Sequence, residues 1–368
     1  MTFFMSRRGF MQAASSAVAA GALSSVTSRA SAESSDELRV VVNGGASGKA
    51  KIEAYVKPFE AETGVKVTAI TDDFTLAQLE LMTTANNVSV DVVGLGAPDQ
   101  SAAVKKGQLE KIDYSIYKKD ELDGLADFAK DTFGVAHIVY SYNMVYNTEQ
   151  FPVNKPRPTT WAEFWDVGKF PGVRSLGSGA WGSEGPWEEA LLADGVAADA
   201  LYPMDIDRIF ASLDKIKPHI RKWWSSGSEI YQMMKDKNAD IMQSYDGRAQ
   251  SLIDEGAPIE INRNQAKLTW DYFTIPKGSP NARNAQKFVE FATRADRQAA
   301  FVKLIPYGPG NRNAFKLIPE ELGRKLATNP DFLAASIVMN AGWYTEIGSD
   351  GLSNIDRLVQ RWNEWILL

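Results

Sequence analysis

Apolar positions along the chain switch repeatedly between alternation and a period near 3.6, the signatures of strand and helix. Leu38 to Val42 is a β-branched apolar run, followed by the turn-rich loop Asn43-Gly44-Gly45-Ala46-Ser47-Gly48. Ile52, Tyr55, Val56 and Phe59 then lie on one face of a helix predicted over 49–63, with Gly64 positioned as its C-cap. Val65 to Ile70 alternates as a second strand and Ser89 to Val93 as a third; a helix holding Ala103 and Val104 should end near Gly107. His137 to Tyr146 reads as a long strand, and the bend through Pro152, Pro156 and Pro158 marks the expected crossing between two lobes. Beyond it the pattern predicts a helical turn over Trp161 to Trp165 capped by Thr159 or Thr160, and a helix over 188–194 stopped by Gly195. A long amphipathic helix follows over 205–219, with Ile206, Ile209, Phe210, Leu213 and Ile216 on one face, and another begins at 230–234. Ala239 to Ser244 and Leu268 to Ile275 read as strands, the first ending in the turn Tyr245-Asp246-Gly247-Arg248. A turn at 276–280 leads into a helix over 284–293, and the last sixty residues look mostly helical. Alternating strands and helices predict an α/β fold in two lobes.

The N-terminus changes the compartment. Ser6-Arg7-Arg8-Gly9-Phe10-Met11, an alanine-rich apolar run from Gln12 to Val26, and Ser28-Arg29-Ala30-Ser31-Ala32 read as a twin-arginine signal peptide over 1–32 with cleavage near Ala32. The run is shorter than the roughly twenty residues that span a bilayer. Export to the periplasm removes weight from chemistry that needs cytosolic ATP, nicotinamide or nucleic acid. Loss of Arg7, Arg8 and Arg29 takes the formal charge from −6 to −9, a poor electrostatic partner for nucleic acid or anionic lipid. The chain has no cysteine and two histidines, His137 and His219, far apart and without metal-ligand spacing, so neither a metal site nor a cofactor is expected.

Two glycine-rich loops invite nucleotide readings and fail them. A phosphate-binding loop needs glycine where Asn43 stands and a hydroxyl where Ala50 stands; Gly94-Leu95-Gly96 lacks the third glycine of a dinucleotide fingerprint. Both still place backbone N–H groups at carboxyl ends of strands, where open α/β sheets hold ligands.

Several short segments, in this order and spacing, resemble the bacterial extracellular solute-binding proteins of ABC importers, in their spermidine/putrescine-type branch. They are Phe59-Glu60-Ala61-Glu62-Thr63-Gly64-Val65-Lys66-Val67, Asp91-Val92-Val93 with Gly107-Gln108-Leu109, Val145-Tyr146-Asn147-Thr148, Tyr245-Asp246-Gly247-Arg248-Ala249, Ile275-Pro276-Lys277-Gly278 and Tyr307-Gly308-Pro309-Gly310-Asn311. The resemblance implies a two-lobed periplasmic binding-protein fold closing on a small molecule, no enzymatic activity, a monomer, and delivery to an inner-membrane ABC permease. Its expected lobes are 33–141 with 269–325, and 142–268 with the C-terminal helices of 326–368.

The same resemblance places Asp271 as the cleft aspartate and Tyr245 as an aromatic wall. Arg248 stands where that branch usually has a small or neutral residue, and Glu184 alone represents its paired acids. An arginine fork suits a carboxylate and Asp271 suits an amine, an arrangement that resembles the γ-aminobutyrate-binding members. The expected ligand is a zwitterionic ω-amino acid such as γ-aminobutyrate. Asp246 and Trp270 are expected in the cleft beside these two. Trp181 joins them because its glycine-rich stretch permits close approach, and Ser47, Asp99 and Tyr307 are further contacts from strand-end loops. Trp187, Trp223 and Trp224 fit either a cleft wall or a core. Four alternatives stay open: putrescine or spermidine; ferric ion, for which Tyr140 and Tyr142 share a strand face; an exported hydrolase, without a G-x-S-x-G segment; and Arg248 paired with Asp246 or Asp254 outside the cleft.

Overall fold

The computed structural model describes residues 37–368, so the twin-arginine segment and its cleavage site lie outside the described residues. Among the described residues no helix is long and apolar enough to cross a membrane.

Among the described residues there are ten strands: β1 Glu37–Val41, β2 Lys66–Ile70, β3 Val93–Gly96, β4 Lys130–Asp131, β5 Gly134–Asn147, β6 Arg174–Gly177, β7 Ile220–Trp224, β8 Ile241–Tyr245, β9 Ile259–Thr274 and β10 Ile337–Val338. β1 and β2 pair in parallel, and Val40 bridges to Val92 just before β3. The main sheet runs β10-β9-β5-β8-β6-β7, with β3 also on β9 and β4 on β5. Its spine is the antiparallel pair of β5, 14 residues long, and β9, 16 residues long.

These two strands serve two lobes. Val135 and Ile138 of β5, with Phe273 of β9, enter a core built on Leu38, Tyr55, Phe59 and Phe288. Met144 and Tyr146, a few residues further along β5, enter a second core with Trp161, Phe164, Trp187, Phe210 and Trp362. The chain therefore crosses inside the strands, between Ile138 and Tyr142, where the pairing shifts register at Ala136/Ile138 and Tyr142/Met144. The proline-rich bend is not that crossing: Phe151 before it and Trp161 after it belong to the same core. Each large apolar side chain buried there contributes on the order of 2–3 kcal/mol.

Local physics explains where the helices begin and end. The first runs 45–63, its middle turn Ile52–Val56 wound as a π-helix, and ends on Gly64 in the left-handed region at φ 73°. Asp205 caps Ile206–Ile216 by accepting from the Arg208 backbone N–H at 3.0 Å; Ile209, Phe210, Leu213 and Ile216 are buried. That helix stops three residues earlier than its pattern predicts, since Pro218 lacks an N–H for the ladder and turns 217–219 into a 3-10 turn. The third strand of the pattern sits four residues later, as β3, and β7 is a strand that the pattern does not predict. Tyr245-Asp246-Gly247-Arg248 is the start of the helix Asp246–Asp254, with Tyr245 as N-cap.

Candidate ligand-binding site

A cavity of about 510 Å³ opens where the carboxyl ends of strands from both lobes meet. The lobe built on β1 contributes the loop Gly44 to Ser47; β5 and β9 contribute Ile138, Tyr140 and Asp271 from the crossing itself. The other lobe contributes Trp181 and Glu184, Gly227, and Tyr245 with Arg248; Pro306 and Tyr307 close one side. Of the residues expected from sequence, Ser47, Trp181, Tyr245, Arg248, Asp271 and Tyr307 therefore meet at one cavity.

Three others lie elsewhere. Trp270 follows the strand rule that neighbours point to opposite faces: Asp271 faces the cavity, so Trp270 is turned to the back of β9, 5% exposed and tilted on Phe128 at 4.9 Å. Asp246 is 2% exposed and accepts from the Ser141 N–H at 3.3 Å, the Gly247 N–H at 2.9 Å and Arg263 Nη1 at 3.3 Å. It ties the crossing of β5 to the start of a helix. Asp99, in the first turn of the helix Ala97–Lys105, lines a smaller chamber beside the cavity instead. Among the tryptophans, Trp187 and Trp224 are core residues.

Asp271 sits opposite Ile138 of β5 and Gly96 of β3, and Tyr140 donates its hydroxyl to the Asp271 carboxylate at 3.5 Å. Burial pushes the Asp271 carboxyl up to about 6, opposed by the Lys51 ammonium and reinforced by Glu184 and Asp99. Lys51 is itself 4% exposed behind the loop, donating to Asn43 Oδ1 at 3.4 Å; burial pulls it down to about 8 against the attraction of Asp271. The tyrosines form an aromatic wall. Tyr140 lies 6.0 Å from Tyr245 and 6.2 Å from Tyr307 between ring centres, and Tyr142 lies 4.8 Å from Tyr245. Burial pushes all four hydroxyls up, which keeps them neutral donors and disfavours the tyrosinates a ferric ion would need.

Arg248 is the positive counterpart. It is exposed, and among the described residues it forms no ion pair: Asp246 is taken by Arg263, and Asp254 by Lys325 at 2.9 Å. Its guanidinium lies along Gly227, where an added Cβ would come within 2.9 Å of Nε, so the absent side chain is what leaves the fork room. Glycine matters again in the loop carrying Trp181 and Glu184. Gly182 is left-handed at φ 63°, and a Cβ on it would meet Ile355 of the C-terminal helix Asn354–Trp365 at 2.7 Å. Trp187 Nε1 donates to the Gly182 carbonyl at 2.6 Å, fixing the loop from below.

Glu184 accepts from the Tyr245 hydroxyl at 2.6 Å, and burial pushes its carboxyl up. Tyr140, Lys51 and Gly227 were not singled out as ligand contacts from sequence. Alternation could have found Tyr140, which shares a strand face with Tyr142; no local pattern announces Lys51 or Gly227. Of the histidines, His137 is 1% exposed and stacked on Phe273 at 3.7 Å beneath the site, and His219 lies in the outer lobe surface near Arg221. The cavity thus offers one unpaired guanidinium, two carboxylates raised by burial, Asp271 and Glu184, and an aromatic wall, a set that binds a small molecule with separated charges.

Residues 54–332 match the model of the family described as bacterial extracellular solute-binding protein. A γ-aminobutyric acid-binding protein of Pseudomonas aeruginosa is 33% identical over 339 residues, covering 90% of this chain and 91% of that protein. An ABC transporter substrate-binding protein from Bradyrhizobium japonicum superposes with a TM-score of 0.79 at 31% identity, over 90% of this chain and 99% of that one. A GABA receptor of known structure gives 0.79 at 30% identity, over 89% of this chain and 97% of that one. With the family spanning both lobes and the cleft between them, the chain belongs to the bacterial extracellular solute-binding proteins, which carry a ligand and do not transform it.

Proposed function

We propose that this protein captures a short ω-amino acid, with γ-aminobutyrate as the reference ligand, and delivers it to an ABC-type inner-membrane permease. The carrying observation is that Arg248 and Asp271 line one cavity with opposite charge, and that among the described residues neither forms an ion pair. A carboxylate on the Arg248 fork and an ammonium on Asp271, walled by Tyr140, Tyr245 and Trp181, account for both. The names of two similar proteins, a γ-aminobutyric acid-binding protein and a GABA receptor, support the same ligand class.

Extracellular membership implies export to the periplasm; the twin-arginine route with cleavage near Ala32 is our reading of the first 32 residues. We assign residues 33–141 and 269–325 to one lobe and 142–268 and 326–368 to the other, acting as a monomer. Leu358, Trp362 and Trp365 packing in the core of Trp161 supports assigning the C-terminal helix Asn354–Trp365 to the second lobe. Ligand would shift an open–closed equilibrium about the β5–β9 crossing, the closed form being what the permease reads.

A putrescine reading has one specific observation in its favour, the second cleft carboxylate Glu184. Titration calorimetry with γ-aminobutyrate and putrescine, repeated on Arg248→Ala, separates the two. The zwitterion reading expects γ-aminobutyrate to bind and Arg248→Ala to weaken that binding about thirtyfold. Putrescine binding that survives Arg248→Ala, without γ-aminobutyrate binding to either protein, would overturn it.

A further inference from the structure

The cavity does not end at Asp271. Past Tyr140 and Trp181 it adjoins a chamber of about 150 Å³, and Glu184 lines both spaces. Asp99 lines the chamber from the start of the helix Ala97–Lys105, and among the described residues neither Asp99 nor Glu184 forms an ion pair. The Tyr142 side chain is fully buried and lines the same chamber, its hydroxyl close to Glu184 and Tyr245 but without a hydrogen bond of normal geometry to either. A polar hydroxyl left without such a bond in such a place costs stability unless something fills the space. Burial also raises the carboxyls of Asp99 and Glu184, the response of acids whose counter-charge is missing.

A simple ω-ammonium held on Asp271 would leave the carboxylates of Asp99 and Glu184 without a cation, Glu184 being met only by tyrosine hydroxyls. A guanidinium matches them: it is planar, carries five N–H donors in a fixed fork, sheds water more readily than an ammonium, and lies well against aromatic rings. Tyr140 and Trp181, which border both spaces, supply those rings.

We propose that the chamber is a guanidinium subsite and that this protein binds ω-guanidino acids such as 4-guanidinobutanoate, with the carboxylate on Arg248 and the guanidinium shared among Asp271, Glu184 and Asp99. The proposal rests on the zwitterion reading above and extends it by naming the cationic end.

The test is calorimetric titration of the mature protein with γ-aminobutyrate, 4-guanidinobutanoate and putrescine, then of Asp99→Asn and Tyr142→Phe, with melting curves to verify folding. The expected result is that 4-guanidinobutanoate binds no more than threefold more weakly than γ-aminobutyrate. Asp99→Asn, and if it misfolds Tyr142→Phe, should lower the affinity ratio of guanidino acid to γ-aminobutyrate at least fivefold. A larger deficit in the native protein, or a ratio that moves less in the variant, overturns the subsite while the γ-aminobutyrate reading stands. Binding of 4-guanidinobutanoate without γ-aminobutyrate keeps the subsite and removes γ-aminobutyrate as reference ligand. Binding of putrescine alone, or of none of the three, overturns both.

Discussion

Two groups of enclosed charges lie close together in this protein and behave in opposite ways. Behind the cleft, Lys267 is 1% exposed and donates to Glu188 at 3.0 Å, Glu189 at 3.3 Å and the Gly185 carbonyl at 2.7 Å. Tyr344 donates to Glu188 at 2.7 Å and Gln243 Nε2 to Glu189 at 2.7 Å, with Tyr202 also on Glu188. Burial alone would lower the Lys267 ammonium, but the two glutamates hold it raised and charged, while burial and Glu188 raise the Glu189 carboxyl; every member of the cluster has a hydrogen-bond partner. In the cleft, Asp271 has only a 3.5 Å contact from Tyr140 and the distant help of Lys51, and Arg248 has no carboxylate at all among the described residues. Charges completed by the protein hold the fold together; charges left incomplete wait for a ligand. The two groups touch through Tyr142, whose ring carries Lys267 at 5.1 Å on one side while its hydroxyl lines the chamber.

The sharpest way to break that comparison is to remove the centre of the complete cluster. Lys267→Met leaves Glu188 and Glu189 buried and unpaired, and is expected to cost about 3–5 kcal/mol of stability in denaturant titration. An unchanged midpoint would mean that the cluster is not structural. Asp271→Asn should do the reverse, losing about 3 kcal/mol of ligand affinity by calorimetry with no loss of melting temperature. Its sign can be followed with pH. The folded carboxyl, near 6, lies above its ordinary value of 3.8, so its protonated form stabilises the fold fully below that ordinary value. That contribution is lost as pH rises through about 6, and the variant's stability advantage should therefore be present at pH 7 and vanish toward pH 4.

Arg248→Ala, on an exposed side chain, should cost about 2 kcal/mol of affinity for a carboxylate ligand and nothing measurable in stability. The smallest effect is the native protein's own pH profile. An ammonium or guanidinium needs Asp271 ionised, and a carboxyl near 6 makes affinity fall about tenfold between pH 7 and pH 5, roughly 1.4 kcal/mol. The raised Glu184 and Asp99 push in the same direction, while Lys51, charged below about 8, favours ionised Asp271 throughout that interval. A flat profile, or one that survives Asp271→Asn, would remove Asp271 from the ligand's cationic end.

The errors in reading the sequence share a cause. Trp270 was placed in the cleft because it is adjacent to Asp271, although a period of two sends neighbours on β9 to opposite faces. Asp246 was placed there because it shares a short segment with Arg248; folding turned that segment into a helix start, burying Asp246 against Arg263 and leaving Arg248 outside. The proline-rich bend attracts a crossing because breaker residues mark it, whereas the expected boundary at 141/142 falls inside the unbroken strand β5, where the two cores divide. β7 was missed because Arg221 and Lys222 interrupt its apolar pattern, and its strand character comes from pairing with β6.

Periodicity and turn residues were enough to establish an α/β chain of strand-helix repeats and the glycine-ended first helix, whereas Arg248 and Asp271 entered through the resemblance that the short motifs carry. The repeats and the helix end are local properties, written in the spacing of side chains along one element. Which charges are left unpaired was decided only by tertiary structure. Lys267 meets Glu188 and Glu189 across nearly eighty positions of chain, and Asp254 finds Lys325 across 71, so that Arg248 is left free. Pairing of this kind depends on distances through space in a medium of low polarizability, which linear spacing does not encode.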